Sequence, residues 1–78
     1  MNVSEYISSD PAIMHDQARV RGTRIPVSVV LGALADGMTE QEILEQYPTL
    51  TVEGIRAAAA YGALLAGEEL LPVPSPVD

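Results

Sequence analysis

Between Pro26 and Gly37 the apolar residues Val27, Val30, Leu31 and Leu34 recur at i, i+3, i+4 and i+7, the spacing of one face of an α-helix. Pro26 suits the first turn, where a missing N–H costs nothing. Gly37, free to take positive φ, closes the helix. A second helix opens at Thr39-Glu40-Gln41-Glu42, a capping box in which Thr39 caps free N–H groups while Glu42 reaches back. Its apolar face is Ile43, Leu44 and Tyr47, and Pro48 stops it. Thr51 caps a third helix, with Glu53 set against the positive end of its dipole. The predicted inner stripe of that helix is Val52, Ile55, Ala59, Gly62 and Ala66. The turn Tyr47-Pro48-Thr49-Leu50-Thr51 is short, so helices two and three are expected to cross steeply, as in a helix-turn-helix.

Upstream of Pro26 the pattern shortens. Glu5-Tyr6-Ile7-Ser8 reads as a brief extended segment and Asp10-Pro11 as the start of a turn. Ala18 to Arg21 alternates small or apolar with charged residues, as a half-buried strand does, and Gly22-Thr23 is a turn or bulge before Ile25-Pro26-Val27. The expected fold is mainly α with a short N-terminal β element: β element and turns over residues 1–25, three helices over 26–66. Residues 67–78 change character, with Pro72, Pro74 and Pro76 at every second position forbidding a helix and favouring an extended arm. That acidic, proline-rich segment is either a loose tail or one that orders on a partner.

Composition adds a reason to associate. A chain of 78 residues makes one small domain. Such chains bury only about 60% of the surface they would expose unfolded, so stability is marginal without disulfides, metal or oligomerisation. There are no cysteines, and the single histidine, His15, cannot build an ordinary metal site alone. With three Tyr and neither Phe nor Trp, the core is thin, and at least a homodimer is expected. No apolar run is long enough to span a membrane, the N-terminus lacks the pattern of a signal peptide, and the expected compartment is the cytoplasm.

The net charge of −7 argues against non-specific nucleic-acid binding by the whole surface. The charges are nevertheless divided. Arg19, Arg21 and Arg24 form a basic knot, whereas from Gly37 onward Arg56 stands alone against Glu40, Glu42, Glu45, Glu53, Glu68, Glu69 and Asp78. Catalysis has little support. His15 beside Asp16 does not make a dyad, Glu42 is explained by capping, and Gly22 does not belong to a phosphate-cradling loop, so no catalytic residue, metal or cofactor is indicated.

The run Arg21-Gly22-Thr23-Arg24-Ile25-Pro26-Val27 resembles a small bacterial and cyanobacterial family, domain of unknown function 433. The resemblance continues through Leu34, Gly37-Met38-Thr39, Glu42-Ile43, Tyr47-Pro48, Leu50-Thr51, Ile55 and Ala58 to Tyr61, and includes Asp10-Pro11 upstream. It implies a homeodomain-like three-helix fold behind a short β element, a dimer, and an antitoxin role beside a PIN-type nuclease toxin encoded nearby. The chain departs from the family in three places. His15-Asp16-Gln17-Ala18 replaces a usual Gly-Gly-Lys-Pro, Arg19 takes a commonly apolar position, and Gly54 stands where an acid is favoured, which is expected to weaken the start of helix three.

Each surface admits two readings. The arginines Arg19 and Arg21, on one side of a strand, either contact phosphates or a partner's carboxylates, or Arg21 and Arg24 clamp acids of the helices or of a second subunit. On helix three the outward positions are expected to be Glu53, Gly54, Arg56, Ala57, Ala60, Tyr61 and Leu64, of which only Arg56 suits DNA, so the helix reads as a packing element. The acidic half is either a solvated surface or a match for a basic nuclease, with Glu68, Glu69, Leu70 and Leu71 as the candidate toxin-contacting tail. The leading expectation is an antitoxin-like protein that neutralises a PIN-type toxin and, where the complex binds DNA, co-represses its own operon. The alternatives are a dimeric DNA-binding transcriptional regulator and a structural oligomerisation module.

Overall fold

The computed structural model describes residues 1–9 and 17–69. The expected turn at Asp10-Pro11, His15, and the tail from Leu70 and Leu71 onward lie outside the described residues. So do the side chains of Glu68 and Glu69. Among the described residues the order is a 3-10 turn (Val3–Glu5), β1 (Ile7–Ser8), β2 (Arg19–Val20), α1 (Val27–Ala35), α2 (Glu40–Gln46) and α3 (Val52–Glu69). This is a small helical bundle behind a two-stranded antiparallel element, the fold class expected.

The β element is closed by local chemistry. Asn2 accepts from the Ser4 N–H through Oδ1 and caps the 3-10 turn, which occupies part of the segment expected to be extended. β1 and β2 then pair in the register Ile7↔Val20 and Ser8↔Arg19. Gly22 at φ +83° turns the chain back, and Thr23 Oγ1 both donates to the Val20 carbonyl and accepts from the Ile25 N–H. The Val20 N–H donates to the Ile25 carbonyl and the Val27 N–H to the Ala18 carbonyl, so β2 lies between β1 and the segment leading into α1. Within the chain β1 and β2 pair with each other, and the Gly22 turn brings the segment leading into α1 back against the other side of β2.

The helices begin and end where their terminal chemistry directs. Pro26 is the N-cap of α1, one residue earlier than its expected place in the first turn, and Gly37 follows the helix at φ +88°. The capping box of α2 is complete: the Glu42 N–H donates to Thr39 Oγ1 at 3.1 Å, and the Thr39 N–H to Glu42 Oε1 at 2.8 Å. Thr51 Oγ1 accepts from the Gly54 N–H at 3.0 Å at the start of α3. That helix runs to Glu69, beyond the expected boundary at residue 66. Glu68 and Glu69 are good helix formers, and Pro72 is the first residue that forbids continuation.

The core consists of Ile7, Val20, Val27, Val30, Ala33, Ile43, Leu50, Ile55, Ala57 and Ala58. One expectation needs correction. Ala59 and Ala66, placed on the inner stripe, are exposed, whereas Gly54 and Ala57, placed outward, are buried, and Tyr61 packs against the core. The inner stripe is Gly54, Ile55, Ala57, Ala58, Tyr61 and Gly62. Two close approaches set this phase. A Cβ on Gly54 would lie 3.0 Å from Val20 Cγ1, and one on Gly62 would lie 3.0 Å from Leu31 Cδ1. β2 and α1 therefore reach α3 at its glycines.

Candidate functional site

The arginines of the basic knot have separate fates. Arg21, although exposed, lies along the β element: its Nη2 donates to the carbonyls of Ser4 at 3.0 Å and Ile7 at 3.1 Å, while its backbone N–H donates to the Tyr6 carbonyl. It acts as a clamp, as one reading expected, but on backbone carbonyls and not on carboxylates. Arg19, on β2, is exposed, as is Arg24 in the turn before α1; Arg24 has no ion pair among the described residues. All three arginines lie at the surface, and Arg21 is the one bonded to the backbone of the β element.

Arg56 is also engaged. Its Nε and Nη2 donate to Glu40 Oε2 at 3.0 Å and Oε1 at 3.3 Å, a two-pronged bond between α3 and α2. The bond and the charge of Glu40 hold the guanidinium above its ordinary pKa. The Arg56 side chain is 63% exposed and that of Glu40 37%, so the pair is well solvated and orients more than it stabilises. The exposed face of α3 thus presents one cation already committed to another helix.

The far end of α3 exposes apolar side chains. Beyond the bundle its inner stripe continues into Leu65, 52% exposed, with Leu64 beside it at 57%. Leu65 and Tyr61 form one wall of a groove of about 310 Å³, whose other lining comes from Gln17, Ala18, Val27, Ser28 and Leu31. Its lining is mainly apolar, with Gln17, Ser28 and Tyr61 contributing polar groups. The sequence reading assigns Leu64 to an outward position but not the groove, which needs α1, α3 and the approach to β2 together. Among the described residues no group of three His, Cys, Asp or Glu is placed to hold a metal ion, and no helix is long and apolar enough to cross a membrane.

A family model described as a protein of unknown function, DUF433, matches residues 7–62. The uncharacterized protein y4eO of Sinorhizobium fredii (strain NBRC 101917 / NGR234) is 40% identical over 57 residues, which is 73% of this chain and 26% of that protein. The chain therefore spans about a quarter of the length of this curated relative. No solved structure matches.

Proposed function

This chain belongs to the DUF433 family of proteins of unknown function, and we propose that it is a non-catalytic, antitoxin-like binding protein. In this reading it works in the cytoplasm as a homodimer and neutralises a PIN-type nuclease toxin encoded nearby. The observation that carries it is the groove between α1 and α3, with Leu65 in its wall and Leu64, the preceding residue of α3, also exposed. Two neighbouring leucines half in water on an otherwise acidic molecule are what a protein partner covers, and burying a leucine side chain is worth about 1.5–3 kcal/mol. The net charge of −7 would steer a basic partner toward the chain, and the uncharged lining of the groove would then take the apolar contact.

A helix-turn-helix regulator reading DNA through α3 has weaker support, because Arg56 is tied to Glu40 and its neighbours on the outer face are Glu53, Ala59 and Ala63. A contact with operator phosphates would fall to Arg19 and Arg24. The test is co-expression with the product of the adjacent gene. Relief of growth arrest and a co-purifying complex are expected, with Leu65→Glu abolishing both while the variant stays folded. Persistent toxicity beside abundant soluble wild-type protein would overturn the reading.

A further inference from the structure

Helix α1 reads Val27-Ser28-Val29-Val30-Leu31-Gly32-Ala33-Leu34-Ala35, with no charged residue and one hydroxyl. A helix that is apolar all round belongs in an interior, yet only Val27, Val30 and Ala33 are buried within the chain. Ser28, Val29, Gly32, Ala35 and Asp36 are exposed. Gly32 sits mid-helix, and a Cβ added there would meet nothing within 4 Å. Nothing in the chain requires a glycine at that point, where alanine would favour the helix. A close approach from outside would require it.

We propose that the outer face of α1 is the seam on which a second copy of this chain docks, with the two α1 helices antiparallel and a two-fold axis at Gly32. The exposed positions are self-complementary about that residue. Antiparallel pairing sets Gly32 against the partner's Gly32, Val29 against the partner's Ala35, and Ser28 against the partner's Asp36. An isologous interface requires such matching, since one patch must serve as both halves. The charges agree as well. A copy carrying −7 is repelled by most of its twin, and this face is uncharged except at its end. There Asp36 of each copy would lie at the N-terminus of the other α1, which has neither a side-chain cap nor an acidic residue in its first turn. The occupant is a second copy and not a transient partner because a chain with three Tyr, no Phe and no Trp makes a thin core, and a small chain without disulfides gains most from a permanent second half.

This inference rests on the dimer of the preceding reading; it shares Ser28 with the groove assigned to the toxin, whereas Val29, Gly32 and Ala35 lie outside that groove's lining. Light scattering on the full chain at micromolar concentration tests the dimer itself, and a monomer mass overturns both. Given a dimer, Val29→Asp and Ser28→Asp are each expected to raise its dissociation constant tenfold or more, with helical circular dichroism unchanged. Ser28→Asp is the sharper probe. It should strengthen the isolated helix by placing an acid at its N-terminus, so lost dimer cannot be ascribed to lost fold. Adding Asp36→Arg to Ser28→Asp is expected to restore the dimer by pairing the two new charges across the seam. A dimer indifferent to Val29→Asp, or a double variant no better than Ser28→Asp alone, would place the seam elsewhere.

Discussion

A methyl group added at Gly54 would sit 3.0 Å from Val20 Cγ1 and 3.3 Å from Thr51 Oγ1, whereas one added at Gly62 would meet only the Leu31 side chain. Val20 is β-branched and buried, so it cannot swing aside, and Thr51 is held by its cap. Alanine gains about 1 kcal/mol of helix propensity over glycine, while overpacking a closed site costs about 1–3 kcal/mol. Gly54→Ala is therefore expected to lose about 1 kcal/mol net in urea unfolding, and Gly62→Ala to be close to neutral because the Leu31 end can rotate. A stabilised Gly54→Ala would show that β2 does not press on α3 as described. Arg21 offers a second test. Removing it leaves the Ser4 and Ile7 carbonyls without their donor, so Arg21→Ala should cost on the order of 1 kcal/mol and speed amide exchange at Val20 and Arg21. Arg24→Ala should leave both unchanged. If Arg21→Ala weakened DNA binding at full stability, the clamp would not be its role.

Element boundaries were legible wherever they are written in side chains next to the backbone groups they serve. Thr39 with Glu42, Thr51, Gly37 and Pro48 each act within a few residues, and each stands where the pattern placed it. Thr39→Ala should accordingly cost about 1 kcal/mol, seen as a lowered urea midpoint with an unchanged slope. The phase of α3 was not legible. Ala57-Ala58-Ala59-Ala60 offers no contrast between faces, and the rotation is chosen by Val20 and Leu31, which are distant in sequence. For the same reason Gly54 looked like a weakness at the start of the helix, although it admits β2. The α2–α3 connection through Glu40 and Arg56 was equally hidden, since sequence spacing does not reveal a pair formed between helices. Its sign with pH is simple from the arginine side. A guanidinium raised above its unfolded value stabilises fully below that value and loses the contribution only as pH climbs through the folded one. Arg56 therefore contributes no pH dependence at neutral or mildly alkaline pH.

At the scale of the whole molecule, acidic charge and apolar contact predict different responses to salt, and this decides how a partner is held. If the groove and the two leucines carry the complex, raising salt from about 0.1 to 1 M, which shortens the Debye length from about 10 to 3 Å, should slow association while hardly changing dissociation. Leu64→Ala should do the reverse. Truncating one side chain at a dry contact removes on the order of 1.4 kcal/mol, which is tenfold in affinity, and such losses appear mainly as faster dissociation. Surface plasmon resonance on the co-purified partner separates the two rates. A dissociation rate rising steeply with salt and indifferent to Leu64→Ala would mean that charged surfaces hold the complex, and attention would move from the α3 rim to Arg19, Arg24 and the acidic helix faces. Dissociation insensitive to salt and faster in Leu64→Ala would tie the exposed end of α3 to the partner. The negative field of the chain would then have the narrower task of steering the encounter.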